Sequence, residues 1–179
     1  MIYLFASDLH GSYSATEALL TRFQELGAHK LILLGDLLYH GPRNPLPDQY
    51  TPKKVSMLLN LYAKSIICLR GNCEAEVDQT MLEFPVLCES AWMHIEGVDF
   101  YLHHGHAPLP PLPAHTVIAS GHTHTPRLAQ SDGHIWVNPG SVALPKNGYP
   151  PSYIVYSERI FTLYTLDGKT ELEKLRLSQ

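Results

Sequence analysis

The stretch Leu4-Phe5-Ala6-Ser7-Asp8-Leu9-His10-Gly11 decides how the rest of the chain folds. The apolar run over residues 1–6 predicts a short buried strand, which ends abruptly in a carboxylate, an imidazole and a glycine. Side chains two positions apart on extended backbone point to the same face, so Asp8 and His10 are expected to do so. Both are good metal ligands, but such residues also close strands by capping the next helix. The tripeptide alone leaves a metal site and a helix cap equally open.

Two further apolar runs in the first half also end in ligand-type residues. Residues 30–34 lead into Gly35-Asp36, and residues 65–69 lead, after Arg70, into Gly71-Asn72. Helical patterns lie between these runs, and such alternation predicts parallel strands joined by right-handed crossovers. Ligands in open α/β sheets bind beyond the carboxyl ends of the strands, so these residues and Asp8 are expected at one sheet edge.

Local signals mark the helices and the loop between them. Ser14-Ala15-Thr16-Glu17 fits a capping box for the first helix, and Gly27 is placed to end it. Thr51-Pro52 is typical of the start of the second helix. Residues 38–50 contain three prolines and therefore predict a loop. This loop is either a solvated connector or a substrate-facing segment in which Arg43 offers a planar cation to phosphate oxygens.

From Ala91 onward, β-type runs replace the helical patterns. Asp132-Gly133 and Asp167-Gly168 each separate two such runs and predict hairpins, so the second half is expected to be mainly antiparallel. Residues 107–114 are rich in proline and predict a loop rather than a domain linker. Three aromatic residues are interpreted as core rather than as binding platforms: Trp92, Trp136 and Tyr156.

Two histidine groups close apolar runs in the second half. Residues 100–102 end in His103-His104-Gly105-His106, and residues 117–120 end in Gly121-His122-Thr123-His124. A single His-x-His is more often incidental than metal-binding, but two groups at strand ends favour a metal site. The candidate ligands are Asp8, His10, Asp36, Asn72, His104, His122 and His124.

Seven oxygen and nitrogen ligands exceed the needs of one ion, which takes about four in a closed site. They suit two divalent ions that share a bridging carboxylate. Two cations roughly 3.5–4 Å apart can stabilise the attacking and leaving oxygens of an in-line phosphoryl displacement and activate a water molecule. A side-chain nucleophile is then unnecessary, which agrees with the lack of a G-x-S-x-G or C-x-x-C motif in the sequence.

The motifs D-x-H, G-D, G-N, H-G-H and G-H-T-H, in this order, resemble those of the calcineurin-like metallophosphoesterases. The resemblance spans residues 8–124, and Asn138-Pro139-Gly140-Ser141 is also similar to small bacterial members. The loop His40-Gly41-Pro42-Arg43-Asn44 and the segment Gly71-Asn72-Cys73 resemble the YfcE-like phosphodiesterase branch. Each motif is weak alone, but the ordered set is highly specific.

This resemblance implies an α/β fold, a four-layer α/β/β/α sandwich of two facing mixed sheets, as one metallophosphoesterase domain over residues 1–179. It implies two metal sites and a bridge: Asp8, His10 and His124 for the first ion, Asn72, His104 and His122 for the second, and Asp36 between them. It also places His106 near the substrate, with His40 and Arg43 as candidate substrate-binding residues. Residues 138–141 are expected to brace the ligand loops.

One position departs from the wider family, in which the G-N motif continues with a histidine that contacts the phosphate. Here that position is Cys73, and a thiol with an unperturbed pKa near ~8.5 is mostly neutral at pH 7. This predicts a preference for phosphodiesters or activated esters, with Asn72, Cys73 and His106 as candidate catalytic residues. The alternative is that Cys73 merely packs behind Asn72.

Composition sets the outer limits. The chain has 179 residues, 45% of them hydrophobic and 17% charged, which suits one globular domain. A net charge of −4 argues against a stable nucleic-acid complex, and no apolar run approaches the ~20 residues that span a membrane. Three cysteines without a C-x-x-C pair favour a cytoplasmic protein. A homo-oligomer is left open.

Several functions stay open beside a two-metal phosphodiesterase acting on a small phosphodiester. The same site suits a phosphomonoesterase or a nucleotide pyrophosphatase, and the same fold suits a non-catalytic protein-interaction scaffold. A single structural metal is the simplest alternative. The resemblance favours two manganese ions, although iron, zinc or magnesium also suit oxygen and imidazole ligands.

Overall fold

The computed structural model describes residues 1–178, which form three α-helices and two facing mixed β-sheets. The strands are β1 (Tyr3–Ala6), β2 (Lys30–Leu33), β3 (Ile66–Cys68), β4 (Ser90–Ile95), β5 (Val98–His103), β6 (Val117–Ala119), β7 (Arg127–Ser131), β8 (His134–Asn138), β9 (Ser152–Ser157), β10 (Ile160–Thr165) and β11 (Glu171–Arg176). The helices are α1 (Tyr13–Glu25), α2 (Pro52–Asn60) and α3 (Glu76–Met81), with a short 3-10 turn at Ala63–Ser65.

The first sheet has the strand order β11-β10-β9-β1-β2-β3, and the second has the order β4-β5-β6-β8-β7. Strands β1, β2 and β3 are parallel neighbours, and α1 and α2 connect them. The predicted alternation of strands and helices is therefore confirmed. Since the three strands run in one direction, the residues that follow them emerge at the same edge of the sheet.

Alternate residues of the central strands face different cores, which explains why their sequences are apolar throughout. Leu4 and Ala6 of β1 pack with α1 and α2, whereas Phe5 faces the second sheet. Between the sheets, Phe5 stacks on Phe100, and the ring of Tyr156 lies 4.5 Å from that of Phe161. Edge-to-face and offset aromatic pairs of this kind add to the free energy of burial. These rings form an aromatic core within the larger apolar cluster that holds the two sheets together.

Both predicted Asp-Gly hairpins are present. Asp132 and Gly133 have φ of 54° and 75°, as a two-residue turn between β7 and β8 requires. The second half is mainly antiparallel, as predicted, except that β6 pairs in parallel with both β5 and β8. Sequence patterns missed α3, which buries none of its residues.

The helix signals were partly misassigned. Ser12, not Ser14, caps α1, because its Oγ accepts the N–H of Ala15. Ser14 instead donates to Asp48, and Glu17 accepts from Tyr13, so neither residue forms the predicted capping box. The predicted ends were correct elsewhere. Gly27 follows α1 with φ of 57°, and Thr51-Pro52 begins α2.

The fold class is confirmed as an α/β sandwich of two mixed sheets.

The proline-rich segment over residues 107–114 lies beside the outer face of the second sheet, where Leu109 and Trp136 line one cleft. Trp92 lies on this outer face of edge strand β4 and is 53% exposed, so its prediction as a core residue is wrong. Trp136 is half-buried, and Tyr156 is fully buried as predicted.

Among residues 1–178, none of the helices has the length and apolar character that crossing a membrane would require.

We expect Phe100→Ala to lower the free energy of unfolding by about 3–5 kcal/mol, because it leaves a cavity in the aromatic core. The matched control is Trp92→Ala on the neighbouring strand, which removes an exposed aromatic ring and is expected to cost less than about 1 kcal/mol. Urea denaturation followed by circular dichroism measures both. Equal losses in the two variants would contradict the assignment of the core.

Candidate metal centre

The ends of β1 and β2 continue to pair beyond the strands themselves. The N–H groups of Asp8 and His10 donate to the carbonyl oxygens of Gly35 and Asp36, at 3.1 and 2.9 Å. Backbone pairing therefore fixes the first two ligand segments side by side. The prediction that parallel strands bring these residues to one edge is confirmed by this register.

The backbone at the candidate ligands is not extended. Five of the seven have φ between 46° and 65°, in the left-handed region: Asp8, His10, Asp36, His122 and His124. The expectation that Asp8 and His10 share a face of an extended strand is therefore wrong, although the two side chains do converge. Non-glycine residues in this region cost about 1–3 kcal/mol each and cluster at functional sites. The rest of the structure must hold these five residues in place.

Asp8, His10 and His124 form a buried group in which three ligand atoms meet. The Nε2 atoms of His10 and His124 lie 3.2 Å apart, and Asp8 Oδ1 lies 3.5 and 3.3 Å from them. Each ring uses Nδ1 to contact a backbone carbonyl oxygen, that of Tyr39 at 2.8 Å and that of Leu144 at 2.6 Å. A carbonyl oxygen only accepts, so Nδ1 carries the proton and Nε2 directs a lone pair inward.

The charge balance of this group favours a bound cation. Asp8 Oδ1 is buried and has no hydrogen-bond donor among the described residues. Two Nε2 lone pairs and a carboxylate oxygen repel one another unless a positive charge lies between them. A buried polar atom without a partner costs free energy, so such an arrangement calls for a ligand. The geometry therefore fits a divalent cation better than a purely structural cluster.

A second group lies beside the first. His104 Nε2 lies 3.2 Å from Asn72 Oδ1 and 3.5 Å from Asp36 Oδ1, while His104 Nδ1 donates to the carbonyl oxygen of Leu34 at 2.6 Å. The ring of His122 lies 5.1 Å from that of His104. Asn72, Asp36 and His104 therefore present oxygen and nitrogen atoms to one small volume, and His122 lines the cleft beside them.

Asp36 faces both groups with different oxygens. Its Oδ2 lies 3.7 Å from His10 Nε2, and its Oδ1 lies 3.5 Å from His104 Nε2. Oδ1 also accepts the N–H of Cys73 at 2.9 Å, which orients the carboxylate. A carboxylate with one oxygen toward each group has the geometry that a bridging ligand requires.

The pKa values of the candidate ligands also favour a positive charge between them. Burial alone would raise the pKa of Asp8, but protons on the His10 and His124 rings, whose Nε2 atoms lie 3.5 and 3.3 Å from Oδ1, would lower it well below its usual range. Burial opposes charge on His104 as well, yet the Asp36 carboxylate raises the pKa of His104 to about 9. Asp8 and Asp36 thus stay ionised while the His10 and His104 rings favour a bound proton, and a metal cation can supply that positive charge in place of the protons. Burial, followed by the nearby His104 ring, lowers the pKa of His122.

Glu74 holds two ligand loops together, a role that the sequence did not reveal. Its Oε2 accepts the N–H of Asp36 at 2.9 Å and that of Gly71, and its Oε1 accepts the N–H of Leu37 at 2.6 Å. Burial, followed by the nearby Asp36 charge, raises the pKa of Glu74 to about 7 in spite of these three donors. It is a buried acidic anchor between the Asp36 and Asn72 segments.

The Asn138–Ser141 segment contacts the other two ligand loops. Asn138 Nδ2 donates to the carbonyl oxygen of Gly121 at 2.8 Å, and Ser141 Oγ donates to that of Asp8 at 2.7 Å. Asn138 Oδ1 also accepts the N–H of Gly140, which tightens the turn. These bonds join the Asp8 loop to the loop that carries both His122 and His124.

The ligand groups open into a cleft of about 510 Å³ that contains two cationic side chains. Arg43 and Lys146 both line it, with Asn44, Thr123 and Cys73. Lys146 was not identified from the sequence, because a single lysine in a loop carries no motif. The 38–50 segment is a loop as predicted, and Arg43 lies where a phosphate oxygen in the cleft can reach it.

His40, His106 and Cys73 differ in how close they lie to the ligand groups. The His40 ring packs against Tyr39 and Tyr50 and does not line this cleft, so the structure does not bring it to the ligand groups. The exposed His106 ring lies 5.5 Å from that of His104. The Cys73 sulfur lies close to ligand atoms of His10 and Asp36, and burial, with the Asp36 charge, raises the pKa of its thiol well above the usual range.

Two candidate ligand groups with the Asp36 carboxylate between them lie at strand ends in a two-sheet sandwich, an arrangement typical of metal-dependent phosphoesterases. Residues 1–159 match the calcineurin-like phosphoesterase superfamily domain. The chain belongs to this family, and the predicted resemblance is confirmed. Membership of the family implies divalent metal ions and an enzyme that hydrolyses phosphate esters.

Individual relatives show which members of the family this chain is similar to. The chain is 41% identical over 183 residues to phosphodiesterase YfcE of Escherichia coli strain K12, covering 99% of both proteins. The solved structure of Yfce, a phosphoesterase from E. coli, matches with a TM-score of 0.96 and covers 99% of this chain and 100% of that one. A structure of Vps29 with Zn²⁺ from Entamoeba histolytica matches with a TM-score of 0.64 at 18% identity, covering 98% of each chain, which shows the fold alone.

We expect Glu74→Gln to weaken divalent metal binding by about 10–100-fold, because the amide cannot accept all three backbone N–H groups. The same loss of buried acceptors is expected to lower the free energy of unfolding by about 1–3 kcal/mol. Isothermal titration calorimetry and urea denaturation measure the two effects. Glu76→Gln, an exposed position two residues along, is the control. Wild-type metal affinity in Glu74→Gln would show that Glu74 does not anchor the ligand loops.

Proposed function

We propose that this protein is a two-metal-dependent phosphodiesterase, which hydrolyses phosphodiesters or activated phosphate esters. The observation that carries the proposal is the 3.2 Å approach of two Nε2 lone pairs beside an unpartnered buried carboxylate oxygen. Such a group requires positive charge, and Asp36 presents its second oxygen to a neighbouring group of the same kind. Support for phosphodiester substrates comes from the 41% identity with phosphodiesterase YfcE.

We assign the ligands of the two ions by their grouping. Asp8, His10 and His124 would hold the first ion, Asn72, His104 and His122 the second, and Asp36 would bridge. Divalent ions bound there supply Lewis acidity and a water molecule activated for attack on phosphorus. Manganese suits this mixture of carboxylate, amide and imidazole ligands, as do iron, zinc and magnesium.

The chain's own residues would bind the phosphate and orient it for attack. Arg43 offers a planar, permanently charged group and Lys146 a compact one, both from the cleft next to the ligands. The Asn72 amide and the His106 ring, on the edge of the second group, would contact the phosphate or the leaving oxygen. The backbone N–H of Cys73 already donates to Asp36 Oδ1. A substrate in the cleft would therefore meet the side chain of Cys73 and not this N–H.

The neutral Cys73 thiol would favour diesters over monoesters. A monoester dianion carries more negative charge than a diester monoanion, and a thiol with a raised pKa supplies no cation to balance it. A diester monoanion depends less on a cation at this position. A phosphomonoesterase with the same metals is the alternative function, and it would require another proton donor in the cleft.

Removing and restoring metal tests the two-ion proposal. We expect chelator-treated protein to lose hydrolysis of bis-p-nitrophenyl phosphate and to regain it with two Mn²⁺ per chain, counted by calorimetry and elemental analysis. Asp36→Asn should lower kcat at least ~100-fold, because one developing charge loses its stabilisation. Asp48→Asn, an exposed carboxylate beside α1, is the control.

Other outcomes separate the alternatives. One bound ion, with Asp36→Asn affecting unfolding but not turnover, would indicate a single structural metal. Metal binding without hydrolysis of any phosphate ester would indicate an interaction scaffold instead of an enzyme.

Replacing Cys73 tests the source of substrate preference. We expect Cys73→His to raise kcat/KM for p-nitrophenyl phosphate relative to bis-p-nitrophenyl phosphate by at least ~10-fold, because an imidazolium stabilises the extra negative charge of the monoester. Cys88→His, at an exposed cysteine that does not line the cleft, is the matched control. An unchanged ratio in Cys73→His would overturn this account of the preference.

A further inference from the structure

A second cleft of about 360 Å³ adjoins the metal centre, and its lining is mostly apolar. Tyr39 and Tyr50 contribute aromatic rings, and Val77 and Met81 of α3 contribute aliphatic side chains. Its only charged lining residues are Lys53 and Asp78, which have opposite signs. A cleft of this size lies in the usual range for small-molecule sites, and its net neutrality does not select for a charged ligand.

The apolar cleft and the polar cleft meet at Cys73, which lines both. The connection extends to the metal ligands themselves, because the carbonyl oxygen of Tyr39 accepts the Nδ1 proton of His10 at 2.8 Å. Gly11 allows the Tyr50 ring to pack against the same loop, since a Cβ there would lie 2.6 Å from that ring. The walls of the apolar cleft are therefore fixed to the loop that carries Asp8 and His10.

Exposed apolar side chains concentrate in this cleft. Tyr39, Val77 and Met81 are 42%, 63% and 39% exposed. The adjoining cleft beside the metal ligands is lined mostly by polar residues. Isolated exposed apolar residues are ordinary on a protein surface, but several that line one cleft beside a reactive centre indicate a ligand surface. Burial of these side chains by a ligand would give a favourable free energy.

We propose that this apolar cleft binds one organic group of the diester substrate, and that an aryl ring is the class it prefers. The inference rests on the proposed phosphodiesterase function. A phosphodiester has two organic groups on one phosphorus. A phosphate held between the ligands and Arg43 would place one group toward Lys146 and the other across Cys73. The two tyrosine rings and the aliphatic side chains of Val77 and Met81 suit an aromatic group, whereas a charged second group gains nothing there.

Nuclear magnetic resonance of methionine methyl groups tests the location directly. The chain has four methionines, of which Met81 lines the cleft, and Met57 lies exposed on α2, outside it. With Mg²⁺-loaded protein, which avoids paramagnetic broadening, we expect diphenyl phosphate to shift the Met81 resonance saturably and to leave that of Met57 unmoved. Dimethyl phosphate should leave both unmoved. A Met81 signal that does not respond to diphenyl phosphate would overturn the proposal.

Competitive inhibition tests the preference independently of which group leaves. Diphenyl phosphate should inhibit hydrolysis of bis-p-nitrophenyl phosphate with a Ki at least ~10-fold lower than that of dimethyl phosphate, since only the former buries a ring. Val77→Ser should reduce this ratio at least ~3-fold, while Met57→Ser, at an equally exposed position, should keep it. Equal Ki values for the two phosphates would overturn the proposed aryl site.

Failure of the parent proposal would look different. A protein that binds diphenyl phosphate at Met81 but hydrolyses no phosphate ester would leave the apolar site intact and refute the phosphodiesterase function. A protein that hydrolyses diesters but has equal Ki values for diphenyl phosphate and dimethyl phosphate would refute the apolar site and leave the phosphodiesterase function intact.

Discussion

One constraint underlies the whole arrangement: several Lewis bases are buried together without enough hydrogen-bond donors to satisfy them. Two imidazole nitrogens 3.2 Å apart share their pocket with a carboxylate oxygen that has no donor among the described residues. Proteins rarely leave such atoms unpaired, because desolvation without a partner costs several kcal/mol. Positive charge removes this cost, and the divalent metal ions that membership of the calcineurin-like family implies would supply it.

The backbone conformation contributes to the same balance. Five candidate ligands occupy the left-handed region, and the segments that carry them approach so closely that glycine is required between them. A Cβ on Gly35 would lie 2.7 Å from the Cα of Gly71, and one on Gly121 would lie 2.9 Å from Asp8 Oδ2. The parallel strands, the aromatic core and Glu74 together hold this costly geometry. Stability elsewhere in the molecule therefore maintains the site.

The sequence predicts more of the fold than of the site. Apolar runs that end in Asp8, Asp36 and Asn72 show where strands stop, and parallel pairing then gives a common edge without any knowledge of distances. The backbone conformation of these ends escaped prediction, because left-handed residues leave no periodic pattern. Glu74 and Lys146 were missed for a related reason: their partners are backbone N–H groups or an open cleft, and neither has a sequence signature. Trp92 was misjudged because hydrophobicity does not reveal that its face is uncovered.

The two ligand groups differ in their exposure, and this difference bears on how substrate is selected. Asp8, His10 and His124 are at most 2% exposed, and the Nδ1 atoms of both histidines donate to backbone carbonyl oxygens. The second group includes the exposed Asn72 and the half-buried His122, both of which line the cleft. Under the two-metal proposal, the buried group would serve the chemistry common to the family, and substrate would meet the protein mainly at the exposed group. Differences in specificity between relatives are therefore expected near Asn72, where this chain has a cysteine and an adjoining apolar surface.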